Sequence, residues 1–386
     1  MTKRILTVCA LGVGTLISAE AVLAQQRAGT APAPAAQAAP AATVAKAPYV
    51  PPKTAWGEPD LQGMWPLTHL ISTNFQRSPN YGDRRLLTDE EFKAAQAAAA
   101  QRADRYQGGA VPAADGGGAS RLTSLMSDPP NGRFPELTPK GKEMNDKFYG
   151  SYKPRTADGK PIFDSVDDFD TWDRCITRGM PVSMLTRNYN VGIRLMQSPG
   201  YVIILLEMAH EARVIPTDGR PFIDPAIKEY LGESRGHWEG NTLVIETKNF
   251  NGKPAQTNSG VPGSPNLTVA SESLHIVERL TRTGPDAIEY KMTVEDPVVL
   301  SRPWSVEFPW KLDPTYGFYE YACHEGNTAI RNYIETSRYE RANPAQFAAP
   351  AGGRGAGGGA RGQGGGGRGQ GGGAPAPGGG RGAGQQ

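Results

Sequence analysis

The chain has 386 residues, with 48 Gly, 33 Pro, three Cys and a formal net charge of +2. No apolar run reaches the ~20 residues that a membrane-spanning helix needs. The positive charge belongs to the two ends: residues 1–24, 25–52 and 351–386 carry +1, +2 and +4, leaving a body of −5, which argues against binding nucleic acid through its phosphates.

Residues 1–24 read as a secretory signal. Lys3 and Arg4 precede an apolar run from Ile5 to Ile17, and Val22 and Ala24 hold the −3 and −1 positions for cleavage before Gln25. The expected location is therefore periplasmic or secreted. Residues 25–52, mostly Ala, Pro, Gln and Gly, form an expected disordered tether. Residues 351–386 hold 20 of the glycines, four Arg and no acid, a composition that cannot bury enough apolar surface to offset its ordering entropy. That tail has Arg-Gly steps but no aromatic for base stacking, so RNA is not expected as its partner. The remainder, 53–350, is expected to be a single β-rich domain with a helical N-terminal part.

Along that body, Trp56 to Trp65 is turn-rich and leads into a short strand. Residues 88–107 predict a helix, with Thr88 as N-cap and Glu91 closing a capping box. A second helix is predicted from Pro139, after Thr138, to about Tyr149. From residue 190 the pattern turns to sheet. The pairs 192–197 with 201–208, 234–239 with 242–248, 272–283 with 287–295, and 304–311 with 317–323 read as hairpins, most of them around Gly-containing turns. Tyr201 to Leu206 is apolar on both faces, which predicts cover on both sides. Residues 287–295 alternate, with Ile288, Tyr290, Met292 and Val294 expected inward. A last helix is predicted from about Asn327 to Tyr339. Successive hairpins without helical crossovers give an antiparallel meander, and closure into an up-and-down barrel would remove its edges. Gly63-Met64-Trp65 supplies the G-x-W of a lipocalin-like first strand. The expected fold class is thus mainly β, an antiparallel lipocalin-like barrel with a few peripheral helices.

Cys9 leaves with the signal, so the mature chain keeps Cys175 and Cys323. In an oxidising compartment these have one intramolecular pairing; two separate buried thiols are the alternative.

The segments WGEPDLQGMW, DRCITRGMP, QSPGYVIILLEMAHEARVIPTDGRP, SRGHWEGNTLVIETKNF, ESLHIVERLTR and YEYACHEGN are similar to those of a group of exported proteins from environmental bacteria. The resemblance covers about 56–335 and implies an exported, β-rich protein with a disulfide; it implies no particular reaction. His237 stands where that group has Arg, and Glu211 where it has Asp.

Five histidines and a few isolated charges carry the chemistry. His210 follows an otherwise apolar strand, with Glu207, Glu211 and Arg213 near it; Glu207 shares the face of Tyr201, Ile203 and Leu205, where burial would raise a carboxylate's pKa and suit it to acid/base work. The bland alternative is a rim His paired with nearby acids. Strand 272–283 carries His275 and Arg279 on one face; Glu278 is the lone acid on the apolar face, which implies an Arg partner. Arg174 and Arg178 flank Cys175, and a disulfide would bring them beside Tyr321, Cys323, His324 and Glu325, where they could bind an anion or simply neutralise acids. No two histidines have local ligand spacing, so no metal is expected. No nucleophile elbow, phosphate-binding loop or dinucleotide fingerprint occurs, and no cofactor is expected.

Three readings follow. The leading one is an exported barrel binding a small apolar or aromatic ligand through Arg213, Arg174, Arg178, Tyr321 and His324. The second is a cofactor-free lyase, isomerase or hydrolase using His210, Glu207 and Glu278. The third is a surface-interaction protein. An apolar lumen would favour the first, an internal polar cluster the second and a filled core the third.

Overall fold

The computed structural model describes residues 49–106, 118–148, 155–156, 161–187, 189–258, 260–265 and 267–347. The signal, the tether up to residue 48 and the tail lie outside the described residues.

The N-terminal helices follow their capping residues. In α1 (Asp89–Tyr106) the Thr88 N–H donates to Glu91 Oε2 at 2.8 Å, and the Glu91 N–H donates back to Thr88 Oγ1 at 3.2 Å. In α2 (Pro139–Lys147) Thr138 Oγ1 accepts the Gly141 N–H. Strands β1 (Gly63–Met64) and β2 (Met126–Asp128) are short. Gly63 of the G-x-W motif is fixed by crowding and backbone alike: its φ is +146°, and a Cβ there would lie 2.6 Å from Leu312.

The expected hairpins form. β3 (Ile193–Ser198) pairs with β4 (Tyr201–Leu206), β6 (Glu233–Glu239) with β7 (Thr242–Lys248), and β10 (His275–Gly284) with β11 (Ala287–Glu295), all antiparallel. Sequence reading missed β5 (Ala212–Pro216), which returns along β4 after a tight turn at Met208–His210. It also missed the small ladder of β8 (Ala255–Asn258) with β9 (Leu267–Val269). β12 (Trp304–Lys311) pairs with β11, but the expected strand at 317–323 does not form. That segment alternates in sequence, yet no strand claims it.

Hydrogen bonding divides the strands into three open sheets, in the orders β1-β3-β4-β5, β2-β12-β11-β10-β7-β6 and β8-β9. The fold is mainly β and antiparallel, with few helices. The ladders do not form one closed ring. The inner faces of the two large sheets share a single core: Ile193, Leu195, Val202 and Ile204 from one side, and Ile276, Leu280, Tyr290 and Trp304 from the other, are all essentially inaccessible. Ile288, Tyr290, Met292 and Val294 point inward as the alternation predicts. β4 departs from expectation. Only one face is buried, while Tyr201, Ile203 and Leu205 are half-buried and the neighbouring Val214 on β5 is 58% exposed. Among the described residues, no helix is long and apolar enough to cross a membrane.

Candidate functional site

The residues expected near His210 go three ways. Arg213, on β5, turns into the core, where Nη1 and Nη2 donate to Glu278 at 3.0 and 2.5 Å. Tyr290 Oη donates to the same carboxylate at 2.8 Å, and Ser234 and Thr247 take further contacts from Arg213. The Arg partner inferred for Glu278 is therefore present, but the cluster is sealed: Glu278 and Tyr290 have no exposed surface. Burial beside Glu278 pushes the Tyr290 phenol well above its usual pKa.

Glu207 is buried just past the end of β4, and four donors occupy it. Asn190 Nδ2 and the Tyr319 N–H reach Oε1 at 3.0 and 3.1 Å; the Gly192 N–H and Tyr316 Oη reach Oε2 at 3.0 and 2.7 Å. A carboxylate has about four lone-pair sites, so none is left to take a substrate's proton. A Cβ at Gly192 would fall 2.8 Å from Oε2, which explains the glycine. His210 is exposed in the turn after β4, and its Nδ1 meets the Tyr321 carbonyl at 3.0 Å. Glu207 and His210 thus clasp segment 316–323 to the sheet end. The donors that alternation assigned to a strand serve this clasp instead.

A disulfide joins Cys175 to Cys323 across 148 residues of sequence. Beneath it, Glu211 accepts from Thr177 Oγ1 at 2.8 Å, from the Arg178 N–H at 2.5 Å and from Ser183 Oγ at 2.5 Å, holding the 177–183 loop inward. Arg174 points out and pairs with Asp167, while Arg178 is 1% exposed. Neither reaches His324 or Glu325, which are both exposed.

What the disulfide does assemble is a cleft of about 200 Å³. One wall comes from the 169–189 stretch: Phe169, Trp172, Asp173 and Tyr189. The other comes from Tyr321, Cys323, Asn327 and the first turns of α3 (Ala329–Ala342), chiefly Ile330 and Tyr333. Phe163 stacks on Phe169 at 4.6 Å, and Tyr333 lies 5.3 Å from Phe163, so the helix is anchored to the first wall by rings as well as by sulfur. The Phe163 N–H donates to Ser337 Oγ at 3.0 Å, and Asp164 pairs with Arg341. Desolvation, with Tyr321 beside it, pushes the Tyr189 phenol up to about 12 against the opposing pull of Arg178 and Arg187. Its O–H is consequently a donor across the physiological range.

Of the sequence candidates, only Tyr321 and the disulfide's Cys323 line this cleft, with Arg178 behind it. Trp172, Tyr189 and Tyr333 were missed. The available signals were the aromatic and acidic run DFDTWD before Cys175 and the i, i+3 pair Ile330 and Tyr333. His69 was also passed over. It is buried, with Nε2 at 2.9 Å from the Pro309 carbonyl, and desolvation lowers its pKa to about 4. His275 sits on the outer face between Glu246 and Glu295, and Arg279 pairs there with Glu239. Among the described residues, no group of three His, Cys, Asp or Glu is placed to hold a metal ion.

Comparison with known proteins gives no matching family model, no similar curated protein and no similar solved structure. Geometry alone carries the functional reading.

Proposed function

We propose that this protein binds a small aromatic molecule, and that the binding place is the cleft beside Cys175–Cys323 rather than the interior of the sheets. The observation that carries the reading is the convergence of Phe169, Trp172, Tyr189, Tyr321 and Tyr333 on one opening of about 200 Å³. Apolar walls with a few polar groups are the usual make-up of a ligand pocket, and this one is below the 300–1,000 Å³ of drug-sized sites. It suits a single ring. Aromatic walls favour a ring through offset and edge contacts, and the hydrogen-bonded hydroxyls of Tyr189 and Tyr321 supply polar groups beside it.

The acid/base reading has less support. Its three residues are dispersed: His210 at the surface, Glu207 saturated and Glu278 closed off from solvent. The surface-interaction reading rests on the tether and tail, which lie outside the described residues. A barrel-like description of the body draws support from two features. β5 packs beside β6, and the Asp313 N–H, just past β12, donates to the Met64 carbonyl of β1 at 2.9 Å. Export to the periplasm or medium, and membership of the exported group that the sequence resembles, are supported by the N-terminal pattern and by a long-range disulfide of the kind an oxidising compartment maintains.

Titration calorimetry with phenol tests the reading. Wild-type protein should bind, and Tyr189→Ala, which removes a ring that is 41% exposed on the rim, should weaken binding at least five-fold with little change in melting temperature. Equal binding by both proteins contradicts the assignment.

A further inference from the structure

Five arginines are buried among the described residues: Arg77, Arg178, Arg187, Arg213 and Arg282. Three of them are fully hydrogen-bonded, and a fourth, Arg213, leaves only Nε without a partner. Arg77, Arg187 and Arg282 spend Nε, Nη1 and Nη2 on backbone carbonyls or a threonine hydroxyl. Arg213 has the Glu278 carboxylate. Arg178 is different. Nη1 donates to the Val182 carbonyl at 2.9 Å, while Nε and Nη2 are buried with no hydrogen-bond partner.

Nε–H and Nη2–H point the same way from the guanidinium plane, as the fork that meets a carboxylate with two parallel bonds. The nearby acids Glu211 and Asp170 act on Arg178 through their charge but make no hydrogen bond to its Nε–Nη2 edge. Glu211 accepts from the Arg178 main chain and from two hydroxyls, and Asp170 Oδ1 accepts the Trp172 and Asp173 N–H groups. Arg187 is a second buried cation nearby; together with desolvation it drives the Arg178 pKa down. A buried charge left in this condition is costly, and an anion on the fork would relieve the cost.

The position of the fork connects it to the cleft. The guanidinium carbon lies 5.3 Å from the centre of the Trp172 ring, the same indole that forms the cleft wall. Gly260 packs closely against both groups: a Cβ there would come within 3.0 Å of Nη2 and of the indole. Asp173, on the cleft lining, opposes an anion.

We propose that the cleft's ligand is an aromatic carboxylate, its ring held between Trp172, Tyr189 and Tyr321 and its carboxylate received past the Trp172 edge by the Nε–Nη2 fork of Arg178. This deepens the reading of the cleft as a single-ring site and rests on it.

Titration calorimetry of the full-length protein at pH 7 with three one-ring probes decides the matter: benzoate, benzyl alcohol and benzylamine. Benzoate should bind at least ten-fold more tightly than benzyl alcohol, with benzylamine the weakest. Arg178→Lys keeps the charge but removes the fork, so the ratio of benzoate to benzyl alcohol affinity should fall to about two. If that variant does not fold, the wild-type ratios decide alone. Benzoate binding no tighter than benzyl alcohol, or benzylamine binding best, overturns the carboxylate class and leaves the aromatic cleft standing. Binding of none of the three overturns both.

Discussion

His69 and Glu207 show at the residue scale how poorly side-chain type alone ranks candidates. A carboxylate at the end of an apolar strand reads as a potential base, yet Glu207 carries four donors and works as a clasp. His69 sits in a stretch without a chemical motif, yet it is the histidine whose titration the fold alters most clearly. Its pKa is lowered to about 4 by burial, so the folded state holds it neutral while the unfolded chain protonates near 6.5. The unfolded state then binds more protons between these values. Stability present above pH 6.5 is lost as pH falls toward 4, by about 3 kcal/mol for a shift of this size. His69→Gln can still donate to the Pro309 carbonyl but does not titrate. Urea unfolding of both proteins at pH 7 and pH 4 should show a smaller acid loss in the variant, by up to that amount; parallel losses would contradict the assignment.

At the scale of elements, the hairpins were legible because period-two alternation and a turn signal coincide at Ser198-Pro199-Gly200, Gly240-Asn241 and Gly284-Pro285-Asp286. Glu278 was legible too, since a lone acid on an apolar strand face demands a partner. Segment 317–323 was misread because Tyr319, Tyr321 and Cys323 alternate like a strand. Their partners are instead Glu207 for the Tyr319 N–H, His210 for the Tyr321 carbonyl and Cys175 for the sulfur. These are long-range choices with no local periodicity. The second face of β4 was misread for the opposite reason: apolarity predicted cover, and the structure leaves Val214 exposed. The cleft wall at 169–189 has no repeat to read. The disulfide is the covalent part of this assembly, and its loop of about 150 residues corresponds in the chain-entropy model to roughly 5 kcal/mol. Cys175→Ser combined with Cys323→Ser should lower unfolding free energy by several kcal/mol, and unreduced, denatured wild type should titrate no free thiol. A change below ~1 kcal/mol, or two free thiols, would contradict that role.

Considered as a whole molecule, the body keeps its sealed polar cluster apart from the proposed binding cleft. The two large sheets bury a continuous apolar core around the sealed Arg213–Glu278–Tyr290 cluster. Replacing one partner of such a cluster leaves the other charge buried and unpaired, which costs stability. The proposed recognition site lies outside the sheets, where stretch 169–189, segment 321–327 and α3 meet beside the disulfide. The sequence reading put a ligand inside a barrel, and the proposal here puts it in the cleft instead, because hairpin patterns specify neighbours within a sheet and carry no information about whether the enclosed space is filled. Intermolecular nuclear Overhauser effects between phenol and the assigned protein test the location directly. Contacts are expected from the phenol ring to the side chains of Trp172, Tyr189 and Tyr321. Contacts confined to the outer sheet face at Met196, Ile203 and Val214, or none at millimolar phenol, would contradict it.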